Sequence, residues 1–269
     1  MESRRRVRVG GGSFARAASS TTLALALLAA ACTADDDART LSVFAASSLT
    51  EAFTELERAF EAAHPGVDVR TTFAGTQVLR LQLEQGARAD LFASADRRHV
   101  EALRDKGLLT AITPFARGQL VIIVPATGDS PVTDLQSLPR AKRLVVGTPQ
   151  VPVGHYFRKL LRRIGERRSP QLARAIEARI ASEESNARLV RAKVELGEAD
   201  AAIVYRTDAM ATDRVKTIPI PDDLAVAARY HIATTKGARA PTLAHQFTEL
   251  LRSNRGRTIL ARHGFTPQP

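Results

Sequence analysis

The amino-acid sequence predicts an α/β fold of two lobes with a ligand cleft between them. Short apolar strands alternate with amphipathic helices from Leu41 onward, a pattern typical of helices packed on a largely parallel sheet. The same pattern starts again after the apolar run 120–124, and no low-complexity linker separates the two series. Two such series favour two lobes joined by strands that cross between them, and the cleft between lobes is a common ligand site.

The predicted elements follow one another in a regular order. Apolar residues three and four positions apart indicate helices, and alternating or continuous apolar residues indicate strands. The continuous run 120–124 predicts a strand buried on both faces. The other predicted strands are 41–45, 67–73, 91–93, 144–146, 201–205 and 226–233, and the predicted helices are 49–60, 77–85, 96–105, 154–164, 171–180, 186–196 and two closing helices around 243–250 and 259–260.

Composition indicates a folded protein and argues against several functions. The chain has 269 residues, 44% of them hydrophobic, which suffices for a substantial core. A single cysteine excludes an intrachain disulfide and dithiol redox chemistry. The formal net charge is +11, but the basic residues are spread over helical segments such as 158–168 without interleaved aromatic residues. We therefore expect solvated helix faces and no nucleic-acid partner.

The N-terminal segment predicts export. Five arginines precede an apolar run from Leu23 to Ala31, which is too short to span a bilayer and is typical of a secretory signal. The run ends in LAAAC, which is similar to a lipoprotein cleavage box, so we expect residues 1–32 to be a signal peptide of lipoprotein type and Cys32 to carry the lipid. Residues 33–39 include three aspartates and predict a solvated tether. The alternative is ordinary signal-peptide cleavage with an incidental cysteine.

The sequence lacks the motifs that common enzyme classes require. It contains no GxSxG, SxxK, Walker or HExxH sequence. The six histidines are scattered, and His99 lacks the downstream Pro-Cys-x-x-Cys of zinc deaminases. We therefore expect no catalytic residue, no metal-ligand cluster and no cofactor.

Three strand-to-helix turns carry small or hydroxylated residues, at 45–49, 74–77 and 152–155. A helix start presents unpaired backbone N–H groups and the positive end of the helix dipole, so several helix starts around one cleft form an anion site. Each turn alone also fits a purely structural role. The sequence from Ser48 to Glu51, for example, is a capping box.

Taken together, these segments resemble the molybdate-binding proteins of ABC importers. The matching segments are VFAASSLT at 43–50, FAGTQ at 73–77, ADLFASAD at 89–96, VGTP at 146–149, VPVG at 151–154, ELGEAD at 195–200, IVYRTD at 203–208 and HGF at 263–265. The resemblance implies the two-lobed periplasmic-binding-protein fold of class II type. It places residues 40–118 and 225–269 in lobe 1 and residues 119–224 in lobe 2.

The resemblance also implies a ligand and a site. Members of that family hold molybdate or tungstate with hydroxyl and backbone N–H groups and without a charged side chain. The implied ligand-binding residues are Ser48 and Thr76 through hydroxyl and N–H, Val153 and Ala187 through N–H, and Tyr205 through its hydroxyl. Members often carry serine in place of Thr76 and alanine in place of Val153, and both differences retain the donor. The implied partner is an ABC permease of the inner membrane, served by an exported, monomeric protein.

Three alternatives remain open at this point. In the first alternative, the ligand is another tetrahedral oxyanion, such as sulfate or phosphate. The second is a lipid-anchored enzyme with an unrecognised site. The third is the effector domain of a transcription regulator, which would need a helix-turn-helix where this chain has an export signal.

Overall fold

The computed structural model describes residues 39–268, so the predicted signal peptide, Cys32 and residues 33–38 of the predicted tether lie outside the described residues. Within the described range, ten strands form one mixed sheet flanked by helices. The strands are β1 (Thr40–Ala46), β2 (Asp68–Ala74), β3 (Leu91–Ser94), β4 (Leu109–Pro125), β5 (Leu144–Gly147), β6 (Ile180–Glu184), β7 (Ala201–Tyr205), β8 (Val215–Pro219), β9 (Ala227–Thr235) and β10 (Thr266–Pro267).

The α-helices between these strands match most of the predicted positions. They are α1 (Thr50–Ala63), α2 (Thr76–Glu84), α3 (Arg97–Asp105), α4 (Pro152–Arg167), α5 (Pro170–Glu177), α6 (Ala187–Glu195), α7 (Arg206–Met210), α8 (Pro241–Arg252) and α9 (Asn254–Arg262). Short 3₁₀ helices lie at Ser47–Leu49 and Leu138–Arg140. None of the helices within residues 39–268 is long and apolar enough to cross a bilayer.

The sheet has a first half with strands β1, β2 and β3 and a second half with strands β5, β6 and β7. The strands are parallel within each half and antiparallel where the halves meet. β1 pairs in parallel with β2 and β3, and β5 pairs in parallel with β6 and β7. β9 pairs antiparallel with β3 and β4, and β4 pairs antiparallel with β7, β8 and β10. The prediction of a largely parallel sheet is therefore wrong for its middle. β4 carries the chain from one half to the other and β9 brings it back, so these neighbours run in opposite directions.

β4 is the strand that both halves share. Residues 109–119 pair with β9, and residues 120–125 pair with β7 and β8. The sequence indicated only the apolar part, 120–124, because polar and exposed positions interrupt the pattern before it. The chain passes between the two halves within β4 and just before β9, near the predicted lobe boundaries. Those boundaries stay a prediction.

The edge strands β6 and β8 were missed by the sequence pattern. β6 has no fully buried position, and β8 has one, at Val215. The predicted helix 171–180 ends at Glu177, and Ile180 already belongs to β6. A half-exposed edge strand lacks the apolar contrast on which sequence prediction depends.

The strand order brings several helix starts to one place. β1 is followed by the 3₁₀ helix and α1, β2 by α2, β5 by α4, and β6 by α6. Because parallel strands end at the same edge of a sheet, the helices after β1 and β2 begin side by side, as do those after β5 and β6. The fold thus provides two groups of helix starts for a site.

Candidate functional site

A small cavity lies between these two groups of helix starts, and most of its lining residues are buried. None of its lining residues carries a formal charge. They are Ala46, Ser47, Ser48, Gly75, Thr76, Ala95, Val151, Pro152, Val153, Asn186, Ala187 and Tyr205. The structure therefore brings together all five residues that the resemblance implied, from positions 157 residues apart in the chain (205 − 48).

The two predicted hydroxyl residues of the first half are buried and held from behind. Thr76 is the first residue of α2, and its Oγ1 accepts a hydrogen bond from the backbone N–H of Ala95 at 3.4 Å. Ser48 lies in the 3₁₀ helix after β1, and its Oγ is 3.1 Å from the hydroxyl oxygen of Tyr230. Since the Ala95 amide is a donor only, the hydroxyl proton of Thr76 is left to donate elsewhere.

Tyr205 ends β7 with its side chain 1% exposed. Its hydroxyl oxygen is buried and has no hydrogen-bond partner among the described residues. Burial raises the pKa of Tyr205 well above its ordinary value of 10, because the phenolate is disfavoured away from water, so the group stays a neutral O–H donor. A buried polar group without a partner costs about 1–3 kcal/mol. Such a group on a cavity wall is available to donate a hydrogen bond to a bound ligand.

The second half contributes helix N-termini. Val153 and Ala187 are the second and first residues of α4 and α6, and both are buried. The first amides of a helix have no acceptor within the helix. In α6 the side chain of Asn186 accepts from the later amide of Leu189, which leaves the N–H of Ala187 uncapped by it.

Two glycines allow the turns to approach this closely. A Cβ at Gly154 would lie 2.0 Å from the carbonyl oxygen of Thr148, so only glycine permits the tight passage from β5 to α4. A Cβ at Gly75 would lie 2.6 Å from the carbonyl oxygen of Ser185. Gly75 belongs to the turn before α2 and Ser185 to the turn before α6, so this glycine lets the two halves meet beside the cavity.

Side-chain contacts also bridge the two halves around the cavity. The Gln77 side-chain amide donates to the carbonyl oxygen of Ser185 at 2.7 Å. Arg188 of α6 forms an ion pair of 2.6 Å with Glu51 of α1. A ring nitrogen of His99 lies 3.2 Å from the carbonyl oxygen of Gln150. These contacts join the two halves close to the residues that line the cavity.

Comparison with known proteins assigns the family. Residues 41–266 match the family model described as bacterial extracellular solute-binding protein. The chain belongs to this family. The predicted resemblance is confirmed by two relatives of this solute-binding protein. The chain is 37% identical over 231 residues to the molybdate-binding protein ModA of Mycobacterium tuberculosis, and the match covers 85% of each chain. It is 35% identical over 266 residues to ModA of Escherichia coli, covering 94% of this chain and 96% of that protein.

A solved structure confirms the predicted fold class. The periplasmic molybdate-binding protein of Azotobacter vinelandii superimposes with a TM-score of 0.73 over 85% of this chain and 99% of that one, at 20% identity. At this identity the likeness concerns the fold. The solute-binding protein thus has the mixed α/β architecture of periplasmic binding proteins.

Sequence reasoning did not select several residues that build the cavity of this solute-binding protein. Ala95 and Asn186 line it, and Tyr230 lies behind Ser48. Asn186 could have been found, because an asparagine before an amphipathic run is a helix-cap signal. Tyr230 has no such signal, since it stands in a plain alternating strand 182 residues from Ser48.

A larger surface groove lies between α1 and α9 of the solute-binding protein. Arg58, Arg255 and Arg262 are among its lining residues, and it shares none with the cavity. The groove is open to solvent, and Arg262 already pairs with Glu55. Residues 39–268 also contain no cluster of three or more His, Cys, Asp or Glu side chains that would hold a metal ion. The cavity with buried lining residues is the stronger candidate site.

Proposed function

We propose that this protein captures molybdate, or the similar tungstate, outside the cytoplasm and delivers it to an ABC permease. Relatives that cover most of the chain at 35% and 37% identity are named molybdate-binding proteins. The observation that carries the proposal is the cavity lined mostly by buried residues without charged side chains, in which the buried Tyr205 hydroxyl has no partner among the described residues.

The chemistry of the lining matches a tetrahedral dianion. Molybdate presents only acceptors, and the five proposed residues offer about seven donors, counting hydroxyls and backbone N–H groups. A hydrogen bond to a charged group contributes about 1.5–3 kcal/mol. A micromolar site needs about 8 kcal/mol, so these donors suffice even after the costs of desolvation and ordering.

A site without a positive side chain also suits transport. Donors around the anion compensate for its lost hydration, while the absence of an ion pair leaves it able to depart to the permease. We therefore propose reversible binding without catalysis and without a cofactor. We also propose that the protein binds the anion as a monomer.

We further propose that the protein is exported and attached to the membrane through Cys32. The family is described as extracellular, which supports export. The lipid attachment is supported by the apolar run that ends at Cys32 and by the aspartates that follow it.

Isothermal titration of the mature protein with molybdate, tungstate, sulfate and phosphate tests the ligand assignment. We expect a Kd for molybdate of about 1 μM or lower and weaker binding of sulfate and phosphate. Tighter binding of sulfate than of molybdate would transfer the assignment to sulfate. The absence of binding by any of the four anions would refute the proposed function.

A further inference from the structure

The hydroxyl group of Tyr230 lies directly behind Ser48. Tyr230 belongs to β9, its side chain is fully buried, and it does not line the cavity. Its hydroxyl oxygen is 3.1 Å from Ser48 Oγ, and Ser48 is its hydrogen-bond partner among the described residues. Tyr230 therefore affects the cavity through Ser48.

Either hydroxyl could donate in this hydrogen bond, and the burial of Tyr230 favours one direction. If Ser48 donated to Tyr230, the phenolic O–H would itself be left in a buried place without an acceptor, which costs free energy. Burial raises the pKa of Tyr230 well above its ordinary value, so the phenolic proton is retained. Tyr230 therefore donates to Ser48, and the hydroxyl proton of Ser48 is left to donate into the cavity.

Thr76 shows the same arrangement with a donor that cannot be reversed. The Ala95 N–H donates to Thr76 Oγ1, and an amide N–H never accepts. Both hydroxyls of the first half thus receive a hydrogen bond from behind. Each is set to act as a donor toward the cavity.

We propose that Tyr230 is a positioning residue that holds Ser48 as a donor and so selects fully deprotonated oxyanions over protonated ones of similar size. This inference rests on the proposed function. Hydrogen phosphate carries an O–H that needs an acceptor, whereas sulfate and molybdate carry none. While Tyr230 donates to it, Ser48 directs its proton into the cavity and so meets the O–H of hydrogen phosphate donor to donor. Turning that proton to Tyr230 instead would leave the phenolic proton without an acceptor.

The variant Tyr230→Phe tests the inference because it keeps the ring and deletes only the O–H. Wild type and variant are titrated with molybdate at pH 8, with sulfate and hydrogen phosphate as competitors of nearly equal size. We expect molybdate and sulfate to bind about 3- to 10-fold more weakly to the variant. Hydrogen phosphate should bind to the variant as tightly as to the wild type or more tightly, so the ratio of sulfate affinity to phosphate affinity falls.

A double-mutant cycle separates positioning from general damage. If Tyr230 acts through Ser48, Tyr230→Phe has no further effect on molybdate binding in a Ser48→Ala background. Tyr156→Phe is the matched control, since it also deletes a buried tyrosine hydroxyl, one that accepts from the Arg229 N–H at 3.1 Å. The control should keep the wild-type preference.

The outcomes that overturn the inference are distinct from failure of the proposed function. Equal weakening of all three anions, an unchanged sulfate-to-phosphate ratio, or a full effect of Tyr230→Phe in the Ser48→Ala background overturns the positioning role alone. Wild-type protein that binds no molybdate overturns the proposed function and this inference together.

Discussion

At the scale of single residues, Asp208 is the buried carboxyl next to the site. It follows β7 within α7, is 2% exposed, and its Oδ2 has no hydrogen-bond partner among the described residues. Burial raises its pKa to about 7, and the nearby Arg191 offsets only part of this effect. The guanidinium of Arg191 donates to the backbone oxygen of Asp208 at 3.0 Å. The Asp208 carboxylate is therefore poorly compensated above neutral pH.

Asp208→Asn should stabilise the protein in alkaline but not in acidic solution. The folded-state pKa of Asp208 lies above the unfolded value of 3.8, so its contribution to stability is fully present below pH 3.8 and is lost as the pH rises through about 7. Compared with wild type, Asp208→Asn should raise the free energy of unfolding more at pH 8.5 than at pH 5, by on the order of 3 kcal/mol.

Urea denaturation of both proteins at the two pH values measures this difference. The exposed Asp105→Asn serves as the control, and we expect it to shift neither value by more than about 0.5 kcal/mol. A difference between Asp208→Asn and wild type that is the same at both pH values would contradict the buried, poorly compensated carboxylate.

The predictability of site residues depended on where their signals lie. The resemblance implied all five site residues. Ser48, Thr76 and Val153 also stand in turns with a local residue pattern, whereas Ala187 and Tyr205 had no support beyond the resemblance. The structure places all five on one cavity. The partners behind the hydroxyls, Tyr230 and Ala95, depend on contacts between distant strands, which a single sequence does not reveal.

At the scale of elements, the site is made of short strand-to-helix turns. The helices themselves could be predicted because their buried faces repeat every three to four residues, as in α1. The first part of β4 and the edge strands β6 and β8 could not, because their exposed positions weaken the apolar pattern. Prediction therefore reached the turns around the cavity better than the strands that join the two halves.

Gly154→Ala tests whether the turn before α4 must be this tight. The added Cβ would lie 2.0 Å from the Thr148 oxygen, so the start of α4 and the N–H of Val153 must move. We expect molybdate to bind at least about tenfold more weakly, as measured by titration.

Gly165→Ala is the matched control within the same helix. There the added Cβ meets Ala173 at 3.7 Å, an ordinary contact, and should stabilise the helix by about 0.5–1 kcal/mol without changing affinity. Wild-type affinity in Gly154→Ala would show that the turn is not part of the site.

At the scale of the whole molecule, β4 and β9 carry the chain between the two halves that enclose the cavity. The order of segments along the chain was enough to predict the α/β class and to recognise the resemblance to the family. The mixed pairing in the middle of the sheet could not, because strand direction follows from which strands become neighbours. The lobe boundaries near residues 118 and 225 stay a prediction.

The proposed attachment to the membrane concerns the chain outside the described residues. Replacing Cys32 with serine removes the lipid-bearing thiol, so the protein should be released from the membrane fraction or accumulate unprocessed. Fractionation of cells together with fatty-acid labelling measures this. A Cys32→Ser protein that still fractionates with membranes like the wild type would refute the anchor.

Molybdate titration of Tyr205→Phe tests whether neutral donors in the cavity bind the anion. The variant keeps the ring and deletes a buried hydroxyl that has no partner among the described residues, so its melting temperature without ligand should stay the same or rise. We expect molybdate to bind about 1.5–3 kcal/mol more weakly, or roughly 10- to 150-fold, and the stabilisation by ligand to shrink accordingly. Unchanged molybdate affinity would contradict the account, because Tyr205 would then be only a core residue.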